Sequence, residues 1–181
     1  MKTELNKALS TLKTGGIILY PTDTIWGLGC DATNAEAVSK IYSIKKRENS
    51  NALISLVADK NQLQEHTTVS IQQAENSLPT TIIYQQVCGL TSNLLGENKS
   101  AAIRIVQDDF CKQLIQLFGK AIVSTSANIS GNQSPKQFSE ISNEIKKNVD
   151  YIVNLRQNEL MFTPSTILMI NKDGSIKKIR W

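Results

Sequence analysis

Four short stretches concentrate the side chains of this chain that could do chemistry. The first, Tyr20-Pro21-Thr22-Asp23-Thr24-Ile25-Trp26-Gly27-Leu28-Gly29, runs from a proline into hydroxyls, one acid, one aromatic and two glycines. Loops at strand ends hold ligands in α/β sheets, and glycines let a backbone approach closely, so this run suits a binding loop as well as a capped turn. The second, Lys45-Lys46-Arg47-Glu48-Asn49-Ser50-Asn51, ends a helical pattern. Cations there complement the helix macrodipole. Yet Lys45 shares the stripe of Val38, Ile41 and Tyr42, which directs it inward or to a groove wall, and Arg47 can fork onto phosphate. The third is Val123-Ser124-Thr125-Ser126-Ala127-Asn128-Ile129-Ser130-Gly131, an apolar strand that delivers hydroxyls and an amide into a tight turn. Such a turn is an anion-binding nest. The fourth, Thr163-Pro164-Ser165-Thr166, again puts hydroxyls at the start of a strand.

Other chemistries fail on inventory. The single histidine, His66, lies in a polar stretch and reads as a solvated loop residue, so a two-histidine metal site is excluded. Both nucleotide-loop fingerprints, Gly-x-Gly-x-x-Gly and Gly-x-x-x-x-Gly-Lys-Ser/Thr, are missing; Gly27-Leu28-Gly29 has Ala32 at the third position. Cys30, Cys88 and Cys111 are odd in number and far apart, which excludes a disulfide framework and a Cys-x-x-Cys site. Asp108-Asp109 is the one adjacent carboxylate pair, and helix capping explains it.

The elements that must position these stretches alternate along the chain. Leu5, Ala8, Leu9 and Leu12 recur at helical spacing until Gly15-Gly16. Strands are predicted at Ile17–Tyr20, Leu53–Val57, Thr81–Tyr84, Ala101–Val106, Ala121–Val123, Tyr151–Val153, Thr166–Ile170 and Ile176–Trp181. Helices are predicted through Val38–Lys45, after an N-cap at Asp109, and from Ser134-Pro135-Lys136-Gln137, where serine caps and proline opens the first turn. With 181 residues, 40% hydrophobic and 20% charged, one domain spanning 1–181 is expected. About 70% of its surface is then buried, enough for a substantial core. The fold class is α/β: a twisted, open sheet of mixed parallel and antiparallel strands flanked by helices, since the C-terminal strands are too closely spaced for helical crossovers.

A net charge of +4 tolerates nucleotides or RNA but falls short of a dedicated nucleic-acid binder. No apolar run approaches the roughly 20 residues that span a bilayer, and the N-terminus has no signal-peptide core, so a cytoplasmic protein without membrane contact is expected.

Taken together, the stretches resemble the threonylcarbamoyl-AMP synthase family, a YrdC-like domain, from about Leu9 to Arg180. The pieces stand in family order: Pro-Thr-Asp-Thr-x-x-Gly-Leu-Gly at Pro21–Gly29, Lys-x-Arg at Lys45 and Arg47 followed by Asn51, Pro79 with Thr81, Arg104, Ser-Thr-Ser-Ala-Asn-x-Ser-Gly at Ser124–Gly131, and Pro164-Ser165-Thr166. Departures are Glu48 and Ala52 where the family carries prolines, Ser77-Leu78-Pro79 for Pro-Gly-Pro, and Trp26 for tyrosine or phenylalanine. The chain looks like the short, single-domain form.

The resemblance implies synthesis of threonylcarbamoyl-AMP from L-threonine, bicarbonate and ATP, with pyrophosphate released, for the threonylcarbamoyl modification of tRNA adenosine. It assigns catalysis to Lys45 and Arg47. ATP would meet Lys45, Arg47, Asn51, Ser100, Ser126, Asn128, Ser134 and Arg180; L-threonine would meet Thr24, Arg104, Ser124 and Ser165. No protein metal site is implied, and Mg²⁺ arrives with the nucleotide. Partners are tRNA, if it is contacted directly, and the other threonylcarbamoylation proteins. Two other readings are a noncatalytic RNA-binding module of the same fold and a carbamoyl-transfer module. The first is disfavoured by the modest charge and few aromatics; the second, by the absence of zinc-finger cysteines.

Overall fold

The computed structural model describes residues 1–46, 53–69, 74, 78–171 and 173–180. Arg47, Asn51, Glu48 and Ala52 therefore lie outside the described residues, as does the side chain of Arg180. The elements are α1 (Lys2–Lys13), β1 (Ile18–Tyr20), β2 (Gly27–Gly29), α2 (Ala35–Lys45), β3 (Ile54–Val57), α3 (Lys60–Gln64) and β4 (Thr80–Tyr84). After these come β5 (Ala101–Ile105), α4 (Asp109–Phe118), β6 (Ile122–Ser126), α5 (Asn143–Lys147), β7 (Tyr151–Ile152), β8 (Thr166–Ile170) and β9 (Ile176–Arg180). Among the described residues the strands form one nine-stranded sheet in the order β7-β1-β2-β6-β3-β5-β4-β8-β9. The pairs β1–β7, β3–β5 and β4–β8 are parallel and the others antiparallel. The expected mixed, open sheet is what the sequence folds into.

Period-two alternation sorts the strand residues onto two faces. Val57, Ile82, Tyr84, Ile103 and Val123 pack with Ala37, Val38 and Ile41 of α2 in one core. Leu56 and Ile122 pack with Leu5, Ala8 and Leu12 of α1 and Phe110, Leu114 and Ile115 of α4 in a second. Register puts Ser124 opposite Ile54, and Arg104 opposite Leu56. These polar side chains thus share the face that α1 and α4 cover.

Four expectations are corrected. Strand β6 does not stop at Val123 but continues through Ser126, because Gly27 and Leu28, read above as loop, form β2 and pair with Ser126 and Thr125. No helix starts at Ser134-Pro135. Gln137 is extended (φ −151°, ψ 167°), Lys136 N–H donates to Glu140 (2.8 Å), and its carbonyl accepts from Met161 N–H (2.6 Å). The chain makes a 3₁₀ turn at Phe138–Glu140, and the helix begins after Ser142, which caps Ile145 N–H. Helix α4 is capped by Asp108 and not Asp109, at 2.8 Å from Cys111 N–H. Finally, His66 is not solvated. It is 5% exposed, its Nδ1 lies 2.9 Å from the Cys88 carbonyl, and Gly89 (φ +72°) closes over it where a Cβ would come within 3.0 Å of Nδ1. The polar sequence around His66 gave no hint that residues 85–90 would fold back on it.

Candidate active site

The Pro-Thr-Asp-Thr turn is organised by Thr22, which is 1% exposed. Its hydroxyl donates to the Ile25 carbonyl (2.7 Å), accepts from the Thr24 and Ile25 N–H groups (3.1 and 3.2 Å), and lies 3.0 Å from the Thr24 hydroxyl. The next residues are not ligand-facing. Trp26 is fully buried and packs against Phe138, the rings tilted by 50° at a centroid distance of 5.1 Å. The two glycines serve neighbouring strands: a Cβ on Gly29 would come 2.6 Å from the Tyr20 ring and 2.9 Å from the Val123 carbonyl, and one on Gly27 3.1 Å from the Ser124 hydroxyl. The close approach these glycines permit is therefore strand to strand.

Asp23 points the other way, at Arg104 of β5. Its Oδ1 takes Arg104 Nη2 at 2.9 Å, with both side chains under a tenth exposed, and its Oδ2 takes Gln107 N–H at 3.2 Å. Arg104 Nε is buried and has no partner among the described residues. An ion pair of this kind holds the guanidinium in one orientation and leaves a charged donor unanswered.

Four residues expected to meet L-threonine, Thr24, Arg104, Ser124 and Ser165, line one small cleft of about 40 Å³ with Ile25, Ile54, Thr125, Ser126 and Pro164. Elements far apart in sequence supply them: the turn before β2, strands β5 and β6, and the residue preceding β8. Ser165 is fixed by Thr81 of β4, hydroxyl to hydroxyl at 2.8 Å. The cleft shares Ile25 and Pro164 with a second cavity of about 340 Å³, lined also by Gln133, Ser134, Lys136, Met161 and Phe162. Gln133 in turn joins that cavity to a third of about 180 Å³, where Asn128 sits. Ser126, Ser134 and Asn128 thus fall along one furrow, though Ser134 reaches it from an extended segment and not from a helix N-terminus.

Lys45, the last residue of α2, is 1% exposed, as its stripe position predicts. Its ammonium donates to the carbonyls of Ser126 (2.6 Å) and Asn128 (2.8 Å) and lies 3.4 Å from Asn128 Oδ1. The Lys45 carbonyl accepts Ser130 N–H at 2.9 Å. The second and third stretches are therefore one unit, a turn pinned from beneath by a buried cation. The Asn128 amide nitrogen is spent within it, donating to the Asn132 carbonyl at 2.6 Å. Ser100 precedes β5 at the sheet end where β6 finishes; it accepts Gly96 N–H at 2.8 Å and lines none of the three cavities.

Among the described residues no cluster of His, Cys, Asp or Glu could hold a metal ion, and no helix is long and apolar enough to cross a membrane. Burial pushes the Cys30 and Cys111 thiols well above the ordinary range, Cys111 further raised by Asp108. Neither can supply a thiolate at neutral pH. Iodoacetamide is accordingly expected to label the exposed Cys88 in the native protein and spare the other two, with turnover retained, as peptide mapping of the alkylated enzyme would show.

Two observations characterise the protein: a mixed sheet of nine strands among the described residues, and a hydroxyl-rich cleft lined by Arg104, which is paired with the buried Asp23 carboxylate. The Sua5/YciO/YrdC family model, described as "Telomere recombination", matches residues 10–181, and the chain belongs to that family. It is 33% identical over 154 residues to the threonylcarbamoyl-AMP synthase of Idiomarina loihiensis, covering 81% of this chain and 82% of that protein. Its fold is that of E. coli YciO (TM-score 0.86, 21% identity, 99% of this chain and 89% of that one). It is also that of P. abyssi Sua5 complexed with L-threonine (TM-score 0.83, 24% identity, 93% of this chain). The chain spans about half the length of the Sua5 structure (51%).

Sequence reasoning did not find Asp23 as the partner of Arg104, Thr81 as the support of Ser165, or Thr22 as the hub of the turn. Asp23 and Thr22 sit inside a stretch already singled out. Their side-chain directions depend on a turn that the sequence does not specify by itself.

Proposed function

We propose that this chain is a nucleotidyltransferase that makes threonylcarbamoyl-AMP from L-threonine, bicarbonate and ATP, acting as one YrdC-like domain in the cytoplasm and supplying tRNA adenosine modification. The carrying observation is the convergence of Thr24, Arg104, Ser124 and Ser165 on one cleft whose buried arginine keeps a donor without a partner. The family and the curated relative support the same reading.

The threonine carboxylate accepts from the Arg104 guanidinium, whose orientation the Asp23 carboxylate fixes. The hydroxyls of Thr24, Ser124 and Ser165 surround the amino and hydroxyl groups. The amine attacks bicarbonate carbon and water leaves, giving N-carboxy-threonine. A carboxylate oxygen of this carbamate then attacks the α-phosphorus of ATP, the bond to the bridging oxygen breaks, and pyrophosphate departs. Both steps bring anions together, so positioning and fixed positive charge carry the catalysis. Lys45 supplies that charge beneath the Ser126–Asn128 turn, and Arg47, two residues on in the sequence, is the second cation of this reading. The residues present suit a phosphate-borne Mg²⁺ held by ATP and water, without a carboxylate cage. Asn51, Ser100, Ser134 and Arg180 complete the nucleotide side of this reading, and tRNA and the downstream transfer proteins are its partners.

The test is pyrophosphate release from ATP, which is expected to require L-threonine and bicarbonate together. L-Valine, which has a methyl where threonine has its hydroxyl, is expected to be used about 100-fold less well, because cleft hydroxyls would be left unpaired. Equal use of valine would remove the cleft from the amino-acid site.

A further inference from the structure

We propose that Arg156, which lines none of the cavities of the furrow, is a positioning residue that couples the two walls of the amino-acid cleft and thereby sets its affinity for the amino acid. The proposal rests on the functional reading above for its kinetic arm and on geometry alone for its structural arm.

One wall is the Thr22–Ile25 turn. The other is the segment from Glu159 to Ser165 that connects β7 to β8, with Pro164 and Ser165 in the cleft. Arg156 holds both. Its Nη1 donates to the Thr22 carbonyl (3.1 Å) and to Asp108 Oδ2 (2.6 Å). Its Nε and Nη2 fork onto the two carboxylate oxygens of Glu159 (2.6 and 2.7 Å). Asp108 is itself committed through its other oxygen to the first turn of α4 (2.8 Å to Cys111 N–H), so the clamp is anchored on a rigid helix end. A planar guanidinium can satisfy three such partners at once; an ammonium cannot present the same fork.

Two further features give the clamp leverage. Arg156 has φ +53°, a left-handed conformation that a residue with a Cβ adopts only when its surroundings enforce it. Beyond Glu159 the segment is tied down again at Met161, 5% exposed, whose N–H donates to Lys136 at 2.6 Å. Hence the segment is fixed at both ends of a short span, and Arg156 is the end that also touches the turn. The Thr22 residue whose carbonyl it holds is the one whose hydroxyl organises Thr24 and Ile25. Shifting Thr22 moves Thr24, which lines the cleft, and freeing Glu159 removes one of the two ties on the stretch that leads through Met161 to Pro164, while Ser165 stays held by Thr81.

The experiment compares Arg156→Ala, Arg156→Lys and Glu159→Gln with the unmodified protein in two measurements. Amide hydrogen exchange, without substrates, is expected to show faster exchange at Thr24 and Ile25 and at Met161 in both Arg156 variants. Glu159→Gln should speed exchange at Met161 and leave the turn amides unchanged. Steady-state kinetics are expected to show KM for L-threonine raised about 10-fold or more in the Arg156 variants, with kcat and KM for ATP within about threefold. Ethylguanidinium added to Arg156→Ala should restore the threonine KM in part. A role in folding alone would lower the active fraction, and so kcat, without moving KM. Unchanged exchange at Thr24 and Ile25 in both Arg156 variants overturns the coupling, as does an equal rise of both KM values. If Arg156→Ala does not fold, Arg156→Lys and Glu159→Gln decide by the same criteria. An unmodified protein that turns nothing over would overturn the functional reading, and the exchange measurement would still judge the clamp.

Discussion

Lys45→Met is expected to lower kcat/KM by about 100-fold or more and to destabilise the fold by about 3 kcal/mol. Methionine keeps the unbranched apolar stem of the lysine and ends one atom short, where the ammonium was, so the packing of α2 against the sheet is largely spared. What is lost is a charged donor to the Ser126 and Asn128 carbonyls, buried oxygens that then face an apolar tip. Hydrogen bonds to charged groups are the strong ones, at about 1.5–3 kcal/mol each, and stranded buried acceptors add their own desolvation cost. The catalytic part comes from removing positive charge beneath a turn that carries anions in the proposed reaction. Urea unfolding and pyrophosphate release separate the two effects. Wild-type turnover in a destabilised protein would show that Lys45 braces the turn and does no more.

The second large effect is expected at the Asp23–Arg104 pair. Asp23→Ala should cost about 3–5 kcal/mol of stability, since it leaves a guanidinium 3% exposed without its counter-charge. The threonine KM should rise with it, because the orientation of Arg104 depends on that carboxylate. An exposed pair is the internal comparison. Lys46 and Glu144 meet at 2.8 Å, as close as the buried pair, but their side chains are 63% and 50% exposed. Breaking that contact by Glu144→Ala is expected to change stability by less than about 1 kcal/mol. Chemical denaturation of both variants checks the contrast. Equal effects would mean that burial of Asp23 and Arg104 does not matter.

Much of this was legible in the residues. Strand positions followed from short β-branched runs, and Lys45 was placed inward by its phase with Val38, Ile41 and Tyr42. Thr24, Ser124 and Ser165 belong to hydroxyl-rich stretches that the sequence marks, Arg104 came from the family resemblance, and the structure brings the four into one cleft. The errors share a cause, which is that local pattern was overruled by long-range contact. Gly27-Leu28-Gly29 lacks every strand preference, yet becomes β2 because β1 and β6 offer free ladder edges on both sides. Ser134-Pro135 carries good helix-start chemistry, but Met161 and Glu140 take the backbone carbonyl and N–H of the following Lys136 sideways. Polar residues around His66 suggested solvent, while the 85–90 loop was free to cover it. Asp23 was visible as an acid in a candidate loop; its partner, 81 residues away, was not.

The central claim is that this site joins an amino acid, bicarbonate and a nucleotide into one product. Its most direct test supplies carbon-labelled bicarbonate with L-threonine and ATP and resolves the products by mass spectrometry. The account predicts an adenylate that carries the label between the threonine nitrogen and the α-phosphate, formed in step with pyrophosphate and lost when threonine is withheld. Hydrolysis of ATP with no labelled adenylate, or an adenylate that forms without bicarbonate, would contradict it.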